Sequence, residues 1–409
     1  MSKPKVFEKP SGVKDYLPGA VERLRCIEER VLTCMKRWGY RRILTPTIEY
    51  YDTVGVMSAT SDKKLFKLLD NRGKTLVLRS EMTAPIARVV ASVLKDERLP
   101  IRLAYHANVF RAFEDESGRD AEFFQTGVEL VGDASADADA EVIALAVASL
   151  KAAGLSEFKL ALGHQGLLNG LLGELLDGMP AEQDQLRERL LARDYVGYRR
   201  LIRGFDVSPA VKEKLLGVLE LQGGREVCEK VAGFTSQPST QAAIGHLCEI
   251  WDALQSYGVS GYMTIDLTMI GNFSYYTGMI FEAYAAGLGF PVTSGGRYDN
   301  LLHSFGRPAP ATGFALKTTR ILEILGPVEE DSAKRVLILY VPERRAEALA
   351  EAAELRSTGE FTVVTRRIEA EEAPGAAAVM RQDGGPCDGM TADEVIVWTA
   401  EGRKGGAQG

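Results

Sequence analysis

The chain has 409 residues, 45% hydrophobic and 26% charged, an ordinary globular composition long enough for two or three domains. A formal net charge of -7 argues against a non-specific grip on nucleic acid, which is built on clustered Lys and Arg. Cys26, Cys34, Cys228, Cys248 and Cys387 form no C-x-x-C pair and read as reduced thiols, while the opening MSKPKVFEKPSG lacks the apolar run of a signal peptide and no stretch is apolar for long enough to span a membrane, so a cytoplasmic protein is expected.

Pro18 and Gly19 open a helical pattern in which Val21, Leu24, Ile27, Val31, Leu32 and Met35 recur at three- and four-residue steps, and Gly39 ends it. YRRILTPTIEYY then reads as a short strand closed by Pro46. KTLVLRSEMTAPIARVVASVL reads as a strand running into a helix, with a polar hinge of Arg79, Ser80, Glu81 and Thr83 and with Pro85 in the first helical turn. IRLAYHANVFRAF and AEFFQTGVELVG are strands, and the polar EDESGRD between them, with Gly118, reads as the loop of an antiparallel hairpin. A helix is expected from about Asp137 to Ala153 on Ile143, Ala146, Val147 and Leu150.

From Gly166 to about Tyr257 the pattern is helical, with strand signals nearly absent, as for an insertion between two parts of a sheet domain. MIGNFSYYTGMIFEAY, residues 269–284, reads as a strand, a tight turn and a second strand, and KTTRILEIL as a helix. GPVEEDSAK reads as a linker. Beyond it RVLILYV, FTVVTR and EVIVWTA read as strands, with a helix from about Glu343 to Ser357 and a frayed EGRKGGAQG at the end. The expected division is 1–165 with 261–328 as a core, 166–260 as a helical insertion and 331–409 as a small α/β domain. The four histidines, His106, His164, His246 and His303, are not spaced as metal ligands, and no metal or cofactor is expected.

Polar residues gather at strand ends and hinges. Gln125 and Glu129 are four apart, so the two-residue strand period sets them on one face with Phe123 and Gly127. A sheet face carrying carboxylates, an amide and tyrosine hydroxyls suits a small zwitterion: carboxylates take an ammonium, and arginine takes a carboxylate or phosphate through paired hydrogen bonds. The plain alternative is a solvated face with scattered charges. In SGGRYDNLL, residues 294–302, Gly295 and Gly296 allow close backbone approach and Arg297 projects from a strand end, either toward a ligand or into a salt bridge.

The order of these segments resembles the catalytic core of a class II aminoacyl-tRNA synthetase of the histidyl type. The long helix and strand ending at Pro46, NVFRAFEDESGRDAEFFQTGVELVG and ATGFALKTTRILEIL resemble its three signature motifs, and MIGNFSYYTGMIFEAY and SGGRYDNLL its histidine-specific segments. The resemblance implies an α+β fold: an antiparallel sheet flanked by helices, with a helical insertion and a small C-terminal α/β domain. It implies that Glu81 and Thr83 hold the α-amino group of histidine, that Gln125 and Glu129 contact the amino acid, and that Tyr275 and Tyr276 wall the imidazole pocket. Arg111 matches the arginine on the ATP α-phosphate, and Arg320 the arginine packed against ATP.

The chain departs from the synthetase pattern at the nucleotide end. Gly271 stands where that family carries an arginine beside the developing charge, a loss that costs catalysis a few kcal/mol on the scale of an oxyanion donor. Ser274 replaces an aspartate, Ala121 an arginine, and Lys317 and Thr319 a glycine and a glutamate. The hairpin loop is acidic, with Glu114, Asp115, Glu116 and Asp120 against Arg119. From Asp331 to Gly409 there are ten Lys plus Arg and fourteen Asp plus Glu, a poor surface for tRNA phosphates.

This pattern resembles the non-catalytic relatives of the synthetase that serve as regulatory subunits of ATP phosphoribosyltransferase in the first step of histidine biosynthesis. The resemblance implies a regulatory subunit without synthetase chemistry, a self-dimer through the class II core, and a hetero-oligomer, a hetero-octamer by family likeness, with a short catalytic subunit. Histidine would be the allosteric effector, with neither nucleic acid nor membrane as partner. The residual histidine site would be Glu81, Thr83, Arg111, Gln125, Glu129, Tyr275 and Tyr276. The competing readings are a diverged histidyl-tRNA synthetase and a synthetase-like interaction protein. The chain is not itself read as the transferase, because no acidic pair precedes a Gly/Thr-rich phosphate loop.

Overall fold

The computed structural model describes residues 7–112, 120–271, 275–325, 334–372 and 392–405. Ser274, Cys387, most of the linker and the hairpin-loop residues Glu114, Asp115, Glu116, Gly118 and Arg119 lie outside these. The chain divides into two compact units, 1–326 and 327–409.

The first unit opens with α1 (Pro18–Arg37), which buries Leu24, Ile27, Val31, Leu32 and Met35 and leaves Val21 at its solvent edge. Then come β1 (Arg41–Arg42), β2 (Ile48–Tyr50), β3 (Lys67–Leu69), β4 (Thr75–Leu78), α2 (Thr83–Ser92), β5 (Ile101–Phe110), β6 (Glu122–Val131), α3 (Ala136–Ala152) and β7 (Phe158–His164). A largely helical stretch follows: α4 (Gln165–Leu175), α5 (Pro180–Leu191), α6 (Tyr195–Gly204), α7 (Pro209–Gly217), the two-residue β8 (Gln222–Gly223), α8 (Glu226–Ala232) and α9 (Pro238–Ser256). The unit closes with β9 (Met263–Asp266), β10 (Met279–Ala285), β11 (Thr293–Arg297), α10 (Leu301–Ser304), β12 (Ala311–Lys317) and α11 (Thr318–Ile324).

Among the described residues, nine strands form one mixed sheet in the order β1-β5-β6-β12-β11-β10-β7-β9-β8. The run from β5 to β7 is antiparallel throughout, while β1 on β5 and β9 on β7 are parallel. Strand alternation sorts the two faces. Leu103, Tyr105, Ala107 and Val109 of β5 pack with Met82 and with Ile86 and Val90 of α2. Ala104 and the even-numbered Val128 and Leu130 of β6 pack on the other face beneath α1, α3 and α9. The odd-numbered Gln125 and Glu129 therefore project on the α2 side. Burying each such aliphatic side chain stabilises the fold by about 1.5–3 kcal/mol.

Two expected strands are corrected. YRRILTPTIEYY yields only β1 and β2, because Arg79 spends its guanidinium on the Thr45 carbonyl at 2.8 Å and that of Pro46 at 3.3 Å. Those carbonyls are thus satisfied by a side chain, and Pro46 has no N–H to give a ladder. The first strand read into residues 269–284 is absent at 269–271, and 272–274 lie outside the described residues. Asp266 accepts from the Thr268 N–H at 2.9 Å and from its hydroxyl at 2.6 Å, which ends β9, and only β10 is extended. A three-stranded sheet, β2-β4-β3, adds to the expected elements.

The second unit contains β13 (Lys334–Tyr340), α12 (Arg345–Thr358), β14 (Phe361–Arg367), β15 (Glu394–Thr399) and β16 (Gly402–Lys404). β13 is parallel to both β14 and β15. Of the end expected to fray, Gly402–Lys404 adds β16 antiparallel to β15, with Arg403 Nε donating to Glu351 on α12 at 2.8 Å, and 406–409 lie outside the described residues. Among the described residues no helix is long and apolar enough to cross a membrane.

Candidate ligand cleft

A cleft of about 610 Å³ opens on the α2 face of the main sheet, and Glu81, Thr83, Arg111, Gln125, Glu129, Tyr275 and Tyr276 all line it. Its centre is a hydrogen-bonded group around Thr83, the first residue of α2. The Glu81 carboxylate accepts from the Thr83 N–H at 2.6 Å and the Ala84 N–H at 3.2 Å, so it caps the helix with charge where the dipole favours an anion. The Thr83 hydroxyl donates to Glu129 at 2.8 Å, and the Tyr298 hydroxyl donates to the other Glu129 oxygen. Tyr275 reaches Thr83 Oγ1 at 3.5 Å and packs edge-on against Tyr276, ring centroids 5.1 Å apart.

Glu129 fits because β12 carries no side chain beside it: a Cβ on Gly313 would lie 2.0 Å from the Glu129 carboxylate and 2.4 Å from the Val128 carbonyl. Burial raises the Glu129 carboxyl to about 8, against the hydrogen bonds from Tyr298 and Thr83 that favour its ionised form. Burial also raises Glu81, opposed by the Ala84 and Thr83 amides and by Arg111. Arg111 donates through Nε to the Ser80 carbonyl at 2.9 Å and lies over the Phe123 ring at 5.3 Å. Its burial lowers the guanidinium pKa, offset first by Glu81. The arrangement offers an ammonium two carboxyl groups and a hydroxyl, with aromatic walls for a planar group.

The departures from the synthetase pattern have structural counterparts. A Cβ on Gly271 would meet the Tyr276 ring at 2.6 Å, so a longer side chain there needs Tyr276 to move. The Gly271 N–H donates to Gln165 Oε1 at 3.2 Å. Ala121 is buried, and its N–H donates to the Gly12 carbonyl at 2.6 Å, so the N-terminal segment occupies the space beside it. Thr319 is also buried and accepts from the Phe124 N–H at 3.0 Å. Lys317 and Arg320 line the outer cleft with Asp120 and Glu323, and Arg320 donates to the Pro291 carbonyl at 2.8 Å while lying over Phe290.

Arg297 does not reach the cleft. It is buried on the opposite face, donating to Asp139 at 2.9 Å and Asp299 at 3.1 Å. Its neighbour Tyr298 takes the cleft position, a contributor that the two-residue strand period in SGGRYD already implied. Tyr105, packed against Gly127, and Glu282 on β10 line the cleft as well. Among the described residues no group of His, Cys, Asp and Glu is arranged to hold a metal ion.

This mixed sheet and cleft define a histidyl-tRNA synthetase-like class II domain, and the histidyl-tRNA synthetase family model matches residues 12–321. A histidyl-tRNA synthetase from Nostoc shares the fold, with a TM-score of 0.79 at 19% identity over 97% of this chain and 92% of its own. Higher sequence identity is found with regulatory subunits. The ATP phosphoribosyltransferase regulatory subunit of Halalkalibacterium halodurans is 47% identical over 89% of this chain and 92% of its own length, and that of Bacillus subtilis 46% identical over 88% and 91%. A crystal structure titled ATP phosphoribosyltransferase regulatory subunit/histidyl-tRNA synthetase, from Bacillus halodurans, superposes with a TM-score of 0.84 at 45% identity, covering 91% of this chain and 97% of that one. The chain belongs to the family of ATP phosphoribosyltransferase regulatory subunits.

Proposed function

We propose that this chain acts without catalysis of its own. It binds a short ATP phosphoribosyltransferase catalytic subunit, is needed for that subunit's activity in the first step of histidine biosynthesis, and carries histidine feedback through the cleft. The observation that carries this reading is the contrast within one cleft. Glu81, Thr83, Gln125 and Glu129 offer an amino-acid ligand its polar contacts, while Tyr276 lies against Gly271 where synthetase chemistry would want a cation. A regulator needs only unequal affinity of its effector for two states of the assembly.

A self-dimer through the core fits the small sheet. Tyr50 and Leu68 flank Leu76 in register, and Ile48, Tyr50 and Leu68 are 50%, 49% and 43% exposed on that face. Leu68→Asp is expected to shift the protein toward monomer in sedimentation velocity, and an unchanged dimer would remove this face from the interface. The subunit reading is tested by gel filtration of this protein mixed with the catalytic subunit, alongside histidine charging of tRNA by this protein alone. Co-elution without charging is expected. Charging without co-elution would return the chain to the synthetases.

A further inference from the structure

Met269, Ile270 and Gly271 form one wall of the cleft, and the outer side of that wall is held by the helical stretch. Ile270 packs against the apolar cluster of Leu168, Leu172, Tyr198 and their neighbours. The Gly271 N–H is taken by Gln165 at the start of α4, and the Thr268 hydroxyl lies 3.5 Å from that of Tyr195 on α6. A second tie crosses at β10. Arg193, in the turn between α5 and α6, donates to the cleft residue Glu282 at 3.2 Å and to the Tyr284 hydroxyl, with its guanidinium 5.3 Å from the Tyr284 ring centroid. Among the described residues Arg193 is the one non-glycine with positive φ, at 54°. The conformation belongs to the end of α5, where the Arg193 N–H donates to the Leu190 carbonyl at 3.0 Å and the Asp194 N–H to the Arg189 carbonyl at 2.8 Å.

We propose that Arg193 and the 268–271 loop are the link through which the α5–α6 segment reads occupation of the cleft, an inference that rests on the histidine reading above. A ligand seated against Tyr276 presses on Gly271, because the ring lies against the space where a Cβ would sit. The push passes to Ile270 and its apolar neighbours. A ligand that draws Glu282 away also removes one of the two side-chain partners that tie Arg193 to β10, and so loosens the turn from the sheet. The two arrangements are a latched turn over an empty cleft and a released turn over a filled one. By linkage, a partner on the outer face of α5–α6 whose affinity histidine changes will change histidine affinity by the same factor.

Hydrogen exchange of the full chain with and without L-histidine tests this, together with calorimetry on Arg193→Gly and Tyr284→Phe. Histidine is expected to change exchange across 180–204 by about fivefold or more, the low end of ordinary coupling between sites. Both variants should still bind histidine while that response is lost. Tyr284→Phe keeps the backbone intact should Arg193→Gly fold poorly. Protection of 123–129 with an unchanged 180–204 segment would overturn the link and leave the histidine reading standing. No heat of binding and no protection anywhere would overturn both.

Discussion

Glu129 is 2% exposed and sits between the hydroxyls of Thr83 and Tyr298, with its carboxyl raised to about 8 by burial. In the empty cleft near pH 7 it holds a proton. An arriving ammonium favours the ionised form, so binding releases that proton and affinity rises with pH up to about 8. L-Histidine titrated at pH 7 in two buffers of different ionisation enthalpy should give unequal heats, and equal heats would contradict the assignment. Glu129→Gln removes a charge-assisted hydrogen bond worth about 1.5–3 kcal/mol, a loss of roughly ten- to a hundredfold in affinity. Stability carries the opposite sign. The native pKa lies above the unfolded value of 4.5, so this group's contribution is present below pH 4.5 and is lost as pH rises through 8. Glu129→Gln should accordingly flatten the fall in Tm between pH 4.5 and 8.

At the scale of elements, the cleft depends on where strands and helices begin. Gly313 lets β12 pass beneath Glu129, so Gly313→Ala should cost about 1–3 kcal/mol by overpacking and weaken histidine binding with it. α4 begins at His164, whose Nδ1 accepts from the Leu167 N–H at 3.1 Å. Burial lowers that imidazole to about 3, so it stays neutral in the fold. The unfolded chain takes up a proton near pH 6.5, and this cap's contribution is lost as pH falls from 6.5 toward 3. His164→Asn should reduce the acid slope of urea stability across that window. On the opposite face, the Arg297–Asp139 pair has side chains 4% and 0% exposed. Arg297→Met strands a buried carboxylate and should cost about 3–5 kcal/mol in urea unfolding.

These elements also show how far the amino-acid sequence could be read. The β5–β6 hairpin was legible because a polar segment with Gly118 separates two strand-forming runs, and the two-residue strand period set Gln125 and Glu129 on one face. The segment at 269–271 was not. Its apolar and aromatic run looks extended, yet the Asp266 turn and the Gln165 contact that shape it lie in neighbouring elements. Arg297 and Tyr298 differ by one residue and point to opposite faces, so the side of the strand end decided which belonged to the cleft. The use of Arg79 as a tie for Thr45 and Pro46 is a tertiary fact that no local pattern encodes.

For the molecule as a whole, the fold is that of a histidyl-tRNA synthetase, and sequence identity reaches 47% with a regulatory subunit of ATP phosphoribosyltransferase. The cleft is lined by Glu81, Thr83, Gln125 and Glu129, while Gly271, Ala121 and Thr319 are each closed in by neighbouring groups. Fold alone would point to aminoacylation, and the proposed reading departs from it because function follows the placement of chemical groups more than the architecture that holds them. The most direct test is turnover of the short ATP phosphoribosyltransferase catalytic subunit from the same organism, measured with and without this protein and then with added L-histidine. Strong stimulation by this protein, reversed by histidine in the wild type and resistant to it in Glu129→Gln, is the predicted result. Turnover that is the same with and without this protein would contradict the account.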